Sequence, residues 1–324
     1  MLNAAMIGLG WWGKKLVAAA RDFGAPVRFS RGVTFEPDGA REFAAAHGIA
    51  VGQSYDEVLA DAAIQAVFLA TPHSTHRALV EQAARAGKHV YCEKPFALSK
   101  ADAQAALEAC ARAGIVVGVG HHFRLLPSMI ALRELAASGA FGALMQAEGN
   151  YSHDWLAETP AGSWRVAPEE SRAGGMTGMG IHILDCFRDF VGPMRRISAL
   201  SKRRVLPIAT GDTTSALVEF DNGATGTLAT TLKTPFVWRF ALYGENCWAE
   251  SVSETRLIVR RAGQEPEVIE RPADNHLGRN IEAFAQAALG QGAFPIDHAG
   301  ILQTVAALEA AFKSADADGA WMAV

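Results

Sequence analysis

The chain has 324 residues, half of them hydrophobic and a fifth charged, with a formal net charge of −4. That length suits two domains better than one, and the hydrophobic content excludes a disordered chain. The mildly acidic balance argues against a nucleic-acid partner, and the absence of an apolar run long enough for a bilayer argues against a membrane.

In chain order, Ala4–Ile7 reads as a buried strand, Lys14–Asp22 as a helix and Val27–Phe35 as containing a second strand. A helix over Gly39–His47 ends at Gly48, a residue suited to the left-handed C-cap. Next come a strand at Ala66–Ala70, a helix at Thr75–Ala86, a strand at His89–Cys92, a helix at Ser99–Ala113 and a strand at Ile115–Val119. Strands alternating with helices at this spacing predict a parallel sheet with right-handed crossovers. After about residue 120 the pattern changes. Strand-like runs appear at Thr213–Phe220, Ala224–Thr231 and Arg239–Tyr243, with Asp221-Asn222-Gly223 as a hairpin turn, and helices return at Asn280–Leu289 and Ala299–Ala315. With the glycine-rich turn Gly8-Leu9-Gly10-Trp11-Trp12-Gly13 between its first strand and first helix, the expected fold class is α/β: a dinucleotide-binding Rossmann domain over residues 1–120, then an α+β domain over 121–324 with a mostly antiparallel open sheet. The last helices are free to pack back on the first domain.

The N-terminus shows no basic segment followed by an apolar core and a cleavage site, so a cytoplasmic location is expected. Cys92, Cys110, Cys186 and Cys247 form no C-x-x-C pair and read as buried reduced thiols.

Gly8-Leu9-Gly10-Trp11-Trp12-Gly13 matches G-x-G-x-x-G between a predicted strand and a predicted helix. Gly8 permits the tight turn, Gly10 lets the backbone approach a pyrophosphate, and Gly13 lets the helix pack close to the sheet. The helix N-terminus then offers N–H groups and a positive dipole end to the phosphates. The acid expected at the end of the second strand is missing: Thr34 and Phe35 stand there, with Glu36 just beyond. NADP is therefore expected to be tolerated at least as well as NAD, with Arg28 and Arg31 near enough in sequence to meet a 2′-phosphate.

Further motifs follow: Ala70-Thr71-Pro72-His73, then His76, then Ala86-Gly87-Lys88-His89-Val90, then Glu93-Lys94-Pro95. With Gly118–Arg124, Trp164-Arg165, Gly174-Gly175, Gly180-x-His182-x-x-Asp185 and Leu242-Tyr243-Gly244, this spaced set resembles the Gfo/Idh/MocA family over nearly the whole chain. The resemblance implies an NAD(P)-dependent oxidoreductase that moves a hydride between nicotinamide and a secondary alcohol or carbonyl of a small polar substrate, most plausibly a sugar or cyclitol. It implies a second-domain sheet that covers the active site and often mediates assembly, so a homodimer or homotetramer is expected. Thr213–Thr231 alternates enough to supply an apolar face for that contact.

Carried over by residue, Thr71-Pro72-His73 resembles the segment beside the nicotinamide ribose, Lys94 the family's active-site lysine, and His182 its second-domain histidine. A partly desolvated lysine suits proton relay to the substrate oxygen. Asp185, three residues after His182, is placed to orient the imidazole. The cofactor residues expected are Gly8, Leu9, Gly10, Trp11, Trp12, Gly13, Thr34, Ala70, Thr71, Pro72, His73, His76, Glu93 and Lys94. The substrate residues expected are His121, Arg124, Trp164, Arg165 and His182. No metal is expected, because neither His121-His122 nor His73-x-x-His76 has a completing ligand at a known spacing. One departure stands out: the family's aspartate four residues before the histidine is Gly178 here. A nucleotide-sensing regulatory protein on the same fold is the competing reading, as is a dehydrogenase of a dihydrodiol, hydroxy acid or aldehyde.

Overall fold

The first apolar run folds as β1 (Leu2–Ile7), buried along almost its whole length. The computed structural model describes residues 1–324 except Gln53, Trp155 and Ala161. After β1 come α1 (Trp11–Phe23), β2 (Val27–Val33), α2 (Pro37–His47), β3 (Ala50–Gly52), α3 (Tyr55–Ala60), β4 (Ala66–Leu69), α4 (His76–Arg85), β5 (His89–Cys92), α5 (Lys100–Ala113) and β6 (Val117–Val119). Among the described residues these strands form a parallel six-stranded sheet in the order β3-β2-β1-β4-β5-β6. The strand order reverses between β1 and β4, which pair from Ala4↔Ala66 to Ile7↔Leu69. In open α/β sheets, ligands bind at the carboxyl ends of the strands at such a switch point.

The helices end where the sequence says. Gly24 and Gly48 take the left-handed conformation (φ 77° and 65°), and their N–H groups close the last turns of α1 and α2.

The later elements are α6 (Pro127–Ala137), β7 (Leu144–Ser152), α7 (Gly180–Phe190), β8 (Met194–Lys202), β9 (Thr213–Phe220), β10 (Thr225–Thr231), β11 (Val237–Gly244), β12 (Cys247–Ser251), β13 (Arg256–Arg261), β14 (Glu267–Glu270), α8 (His276–Ala288), α9 (His298–Asp316) and β15 (Met322–Ala323). Among the described residues their nine strands form a second sheet in the order β14-β13-β12-β11-β7-β10-β9-β8-β15. It is antiparallel except between β7 and β10. Chain contacts divide the protein into two units. Residues 1–97, 101–122 and 275–301 form the first, and residues 98–100, 123–274 and 302–324 the second.

In the first unit α8 closes one face of the sheet. Phe284 stacks edge-on against Phe68 at 5.3 Å, and Tyr91 Oη donates to Asn280 Oδ1 at 2.7 Å. A side chain at Gly118 would strike Phe284 at 2.7 Å, so glycine there allows this closure. In the second unit α7 lies on the sheet so closely that a Cβ on Gly149 would meet Ile183 Cγ2 at 2.2 Å.

The apolar alternation in Thr213–Thr231 is consumed inside this unit. Ala216, Val218, Phe220 and Leu228 belong to its own core. The opposite face carries Ser215, Leu217, Thr227 and Ala229, which line a shallow groove of about 390 Å³. Leu200 and Leu217 are about half exposed on this outer face. All four cysteines are buried free thiols. Among the described residues, no helix is long and apolar enough to cross a membrane.

Candidate active site

The glycine turn joins β1 to α1 at the switch point. Gly8 has φ +94°, and a Cβ there would sit 2.4 Å from Ala70 O. A Cβ on Gly13 would lie 2.1 Å from Gly8 O. These two glycines are therefore required by the chain itself. Gly10 is different: a Cβ there would meet no protein atom within 4 Å, and its φ of −80° is open to any residue. Nothing in the fold calls for glycine at that position, so the space in front of it fits a ligand that comes close to the backbone. Gly10 is also the N-cap of α1, with no side-chain cap and no acid in the first turn, which suits a bound phosphate.

Leu9 is buried in the core and offers only its backbone. Trp11 is exposed, and Lys15 Nζ lies 5.8 Å from its ring and 5.1 Å from the Trp12 ring. Ala70 N donates to Ile7 O at 2.8 Å, holding the next loop against β1. In that loop Thr71 Oγ1 and Thr75 Oγ1 share a 2.8 Å hydrogen bond, and Thr75 Oγ1 donates to Pro72 O at 2.6 Å. His73 lies edge-on to His76 at 5.9 Å.

His76 itself is a correction. It is fully buried, with Nδ1 2.8 Å from Pro95 O and Nε2 3.1 Å from Thr71 O. It therefore pins the Thr71 loop to the Glu93-Lys94-Pro95 segment and is spent on that task. The Lys94-Pro95 peptide is cis.

Glu93 follows β5 and is buried. One carboxylate oxygen accepts from Lys94 N at 3.2 Å. The other oxygen and the Trp12 indole nitrogen are buried and face each other without completing a hydrogen bond. Burial pushes the Glu93 carboxyl up to about 6, opposed by the Lys94 charge and the Trp12 N–H. Gly120, which the sequence reading did not assign a role, makes the room: a Cβ there would lie 2.6 Å from Glu93 Oε1. His122 stacks on His276 at 4.9 Å and lies 6.0 Å from Trp12. Burial first, then the neighbouring His276, Lys94, Lys15 and His121, pushes His122 well below the usual histidine range. His121 is likewise buried.

At the end of β2, Thr34 is buried and its hydroxyl accepts from Glu36 N at 3.2 Å. Phe35 is fully in solvent. Arg28 pairs in register with Asn3 at the start of β1, at the wrong end of the sheet for a cofactor, and Arg31 lies 3.5 Å from Asp61. Arg28 is therefore not placed to meet a 2′-phosphate.

In the second unit His182 lies in the first turn of α7 and is buried against Phe123, ring to ring at 4.5 Å. Gly178 is in the turn before that helix. Arg124 is the second correction. Its Nε and Nη2 donate to the two Asp185 oxygens at 2.8 and 2.6 Å, and its Nη1 donates to Asp189 at 3.0 Å. All three guanidinium nitrogens are thus engaged by protein, which leaves no fork for a substrate. By the same token both Asp185 oxygens are committed to Arg124, whereas the sequence suggested the His182 ring. Trp164 and Arg165 share a single 3₁₀ turn, with the Arg165 guanidinium 4.5 Å over the Trp164 ring. Burial lowers the Arg165 pKa from its usual value.

Residues 2–121 match the family model for the oxidoreductase family with an NAD-binding Rossmann fold. Residues 129–250 match the Gfo/Idh/MocA C-terminal domain. The chain belongs to the Gfo/Idh/MocA family. It is 30% identical over 195 residues to an uncharacterized oxidoreductase of Streptococcus pneumoniae, covering 60% of this chain and 51% of that protein. It is 32% identical over 227 residues to D-apiose dehydrogenase of Paraburkholderia graminis, covering 69% of this chain and 58% of that one. The matches thus span little more than half of these relatives' length. A solved structure of levoglucosan dehydrogenase in complex with NADH and levoglucosan superposes with a TM-score of 0.89 at 24% identity, covering 100% of this chain and 99% of that one. That likeness concerns the fold.

Proposed function

We propose that this protein is an NAD(P)-dependent oxidoreductase acting on a secondary alcohol or carbonyl of a small polar substrate, a sugar or cyclitol. The observation that carries the reading is Gly10: a glycine the fold itself does not need, facing open space at the helix N-terminus of a Rossmann switch point. A nicotinamide dinucleotide held there would supply or accept the hydride. The first-turn backbone of α1 would hold its pyrophosphate, and the Thr71-Pro72-His73 loop would flank its ribose.

Lys94 is the proposed proton donor and acceptor at the substrate oxygen. It is fixed by the Glu93 carboxylate, which accepts from its backbone N–H, and by the His76 clamp on the Pro95 carbonyl. His182 is the second proposed proton-transfer group, its ring held by Phe123. The sugar class is supported by the named relative D-apiose dehydrogenase. Self-association through the outer face of the nine-stranded sheet belongs to the same reading, as does a cytoplasmic location.

The test is nicotinamide absorbance during incubation with NAD or NADP and a panel of pentoses, hexoses, anhydrosugars and inositols. Turnover on a member of the panel supports the reading. Tight dinucleotide binding with no turnover on any of them would favour the nucleotide-sensing alternative, to which Gly178 lends a specific observation: a carboxylate is missing beside His182.

A further inference from the structure

The residues around His182 in the second unit grade from sealed to open. Tyr151 and Trp238 face each other across β7 and β11. Trp238 is closed off, and its indole N–H donates to Ser251 Oγ at 2.9 Å. Phe123 sits among them, 4.6 Å from Tyr151, 4.9 Å from Trp238 and 4.5 Å from the His182 ring. Strand alternation then carries the same face outward, to His153 two residues past Tyr151 and to Phe236 two residues before Trp238. There the rings of His153 and Phe236 stack at 6.5 Å, and Phe236 is 57% exposed.

One feature of this row has no account in packing alone. A large aromatic ring at the end of a buried cluster stands open to solvent. Tyr151 is 9% exposed, and its hydroxyl is not among the sealed polar atoms left without a partner. The Tyr151 ring is 5.9 Å from that of His182.

We propose that Tyr151, His153 and Phe236 form the specificity subsite for a saturated ring substrate, with its C–H face on the Phe236–His153 stack and one ring hydroxyl on the Tyr151 hydroxyl. The inference rests on the oxidoreductase reading of His182 and narrows it to cyclic polyols. A ring polyol presents a C–H face that suits the negative face of an aromatic ring, and edge hydroxyls that need donors and acceptors. An open-chain hydroxy acid has no such face. Burial raises the Tyr151 phenol above its ordinary pKa, so it stays a donor at neutral pH.

The experiment is saturation-transfer NMR on the NADH-loaded protein with levoglucosan and D-xylose as ring probes and D-glycerate as the open-chain probe. Saturation of the aromatic protons is expected to reach the ring C–H protons of the sugars and to leave glycerate unlabelled. Phe236→Ala is expected to weaken sugar binding by roughly three- to tenfold, the scale of one aromatic contact. It should raise KM more than it lowers kcat, with NADH affinity and melting temperature retained. Tyr151→Phe should weaken sugar binding while keeping the ring contact. Sugar binding that ignores both substitutions, or no sugar binding by the wild type, overturns the subsite. Sugar binding that responds to them, with no cofactor turnover on any sugar, retains the subsite and sinks the oxidoreductase reading instead.

Discussion

Arg124 sits fork to fork on Asp185, with side chains 6% and 1% exposed. The pair joins the segment after β6 to α7, and Asp189 extends it through Arg133. Removing one partner of a buried pair leaves an uncompensated charge, which costs about 3–5 kcal/mol. Arg124→Met or Asp185→Asn alone should therefore lower the urea midpoint strongly, and the double variant should lose much less than the sum. Additive losses would show that the two side chains do not act as a pair.

Much of the first unit was legible in the sequence because most of its strands are short apolar runs between amphipathic helical stretches. His89–Cys92 is matched to the residue and the other expected elements lie within a few residues, but the short β3 (Ala50–Gly52) and α3 (Tyr55–Ala60) were not expected. The second unit was harder. β7 pairs with β10 and β11, far away in sequence, and its inward residues Ala147, Gly149 and Tyr151 make a weak alternation. Arg124 looked like a substrate fork because its partner lies 61 positions away. Glycines carry their reason in the space around them, so Gly120 gave no signal until the Glu93 carboxylate was seen beside it. Lys94 and His182 were legible only as members of a motif set, because a lone lysine or histidine has no local pattern.

Gly10 and Gly13 should fail differently. Gly10→Val points a side chain into open space, so the melting temperature should hold while dinucleotide affinity falls, as read by calorimetry. Gly13→Ala drives a methyl group into Gly8 O, and the fold itself should weaken. Unchanged affinity for NAD and NADP in Gly10→Val would remove the turn from the binding site.

Glu93 should make stability fall as pH rises. Its carboxyl titrates near 4.5 when exposed and near 6 in the fold, because burial favours the neutral acid. The folded state therefore binds more protons between these values, so the stabilisation present below pH 4.5 is lost as pH passes 6. The scale is on the order of 2 kcal/mol. Glu93→Gln should remove this component, and urea unfolding of both proteins across that window measures it. Parallel pH profiles would contradict the assignment.

Cofactor choice should be weak. No acid at Thr34 or Phe35 repels a 2′-phosphate, and Arg28 lies at the far end of the sheet. The affinities for NAD and NADP should then differ by less than about tenfold, or 1.4 kcal/mol. A strong preference for NAD in calorimetry would assign the ribose contact to Glu36, the N-cap of α2.

The proton relay must use groups that are present, and Gly178 removes one carboxylate from the choice. Lys94 follows a buried glutamate on the carboxyl side of β5, held on both sides by hydrogen bonds to its neighbours. Lys94→Ala should lower kcat by roughly a hundred- to ten-thousandfold, the loss expected for a general acid–base group, with dinucleotide affinity little changed. Lys94→Arg should not rescue it, because guanidinium keeps its proton across the working pH range. His182→Ala should also slow turnover, and the pH–rate profile of either variant should lose a limb that the wild type shows. Gly178→Asp should bring no gain, because the inner face beside His182 is already lined by Tyr151 and Phe123. If Lys94→Ala turns over the true substrate at the wild-type rate, the relay lies elsewhere, and His182 becomes the first residue to test in its place.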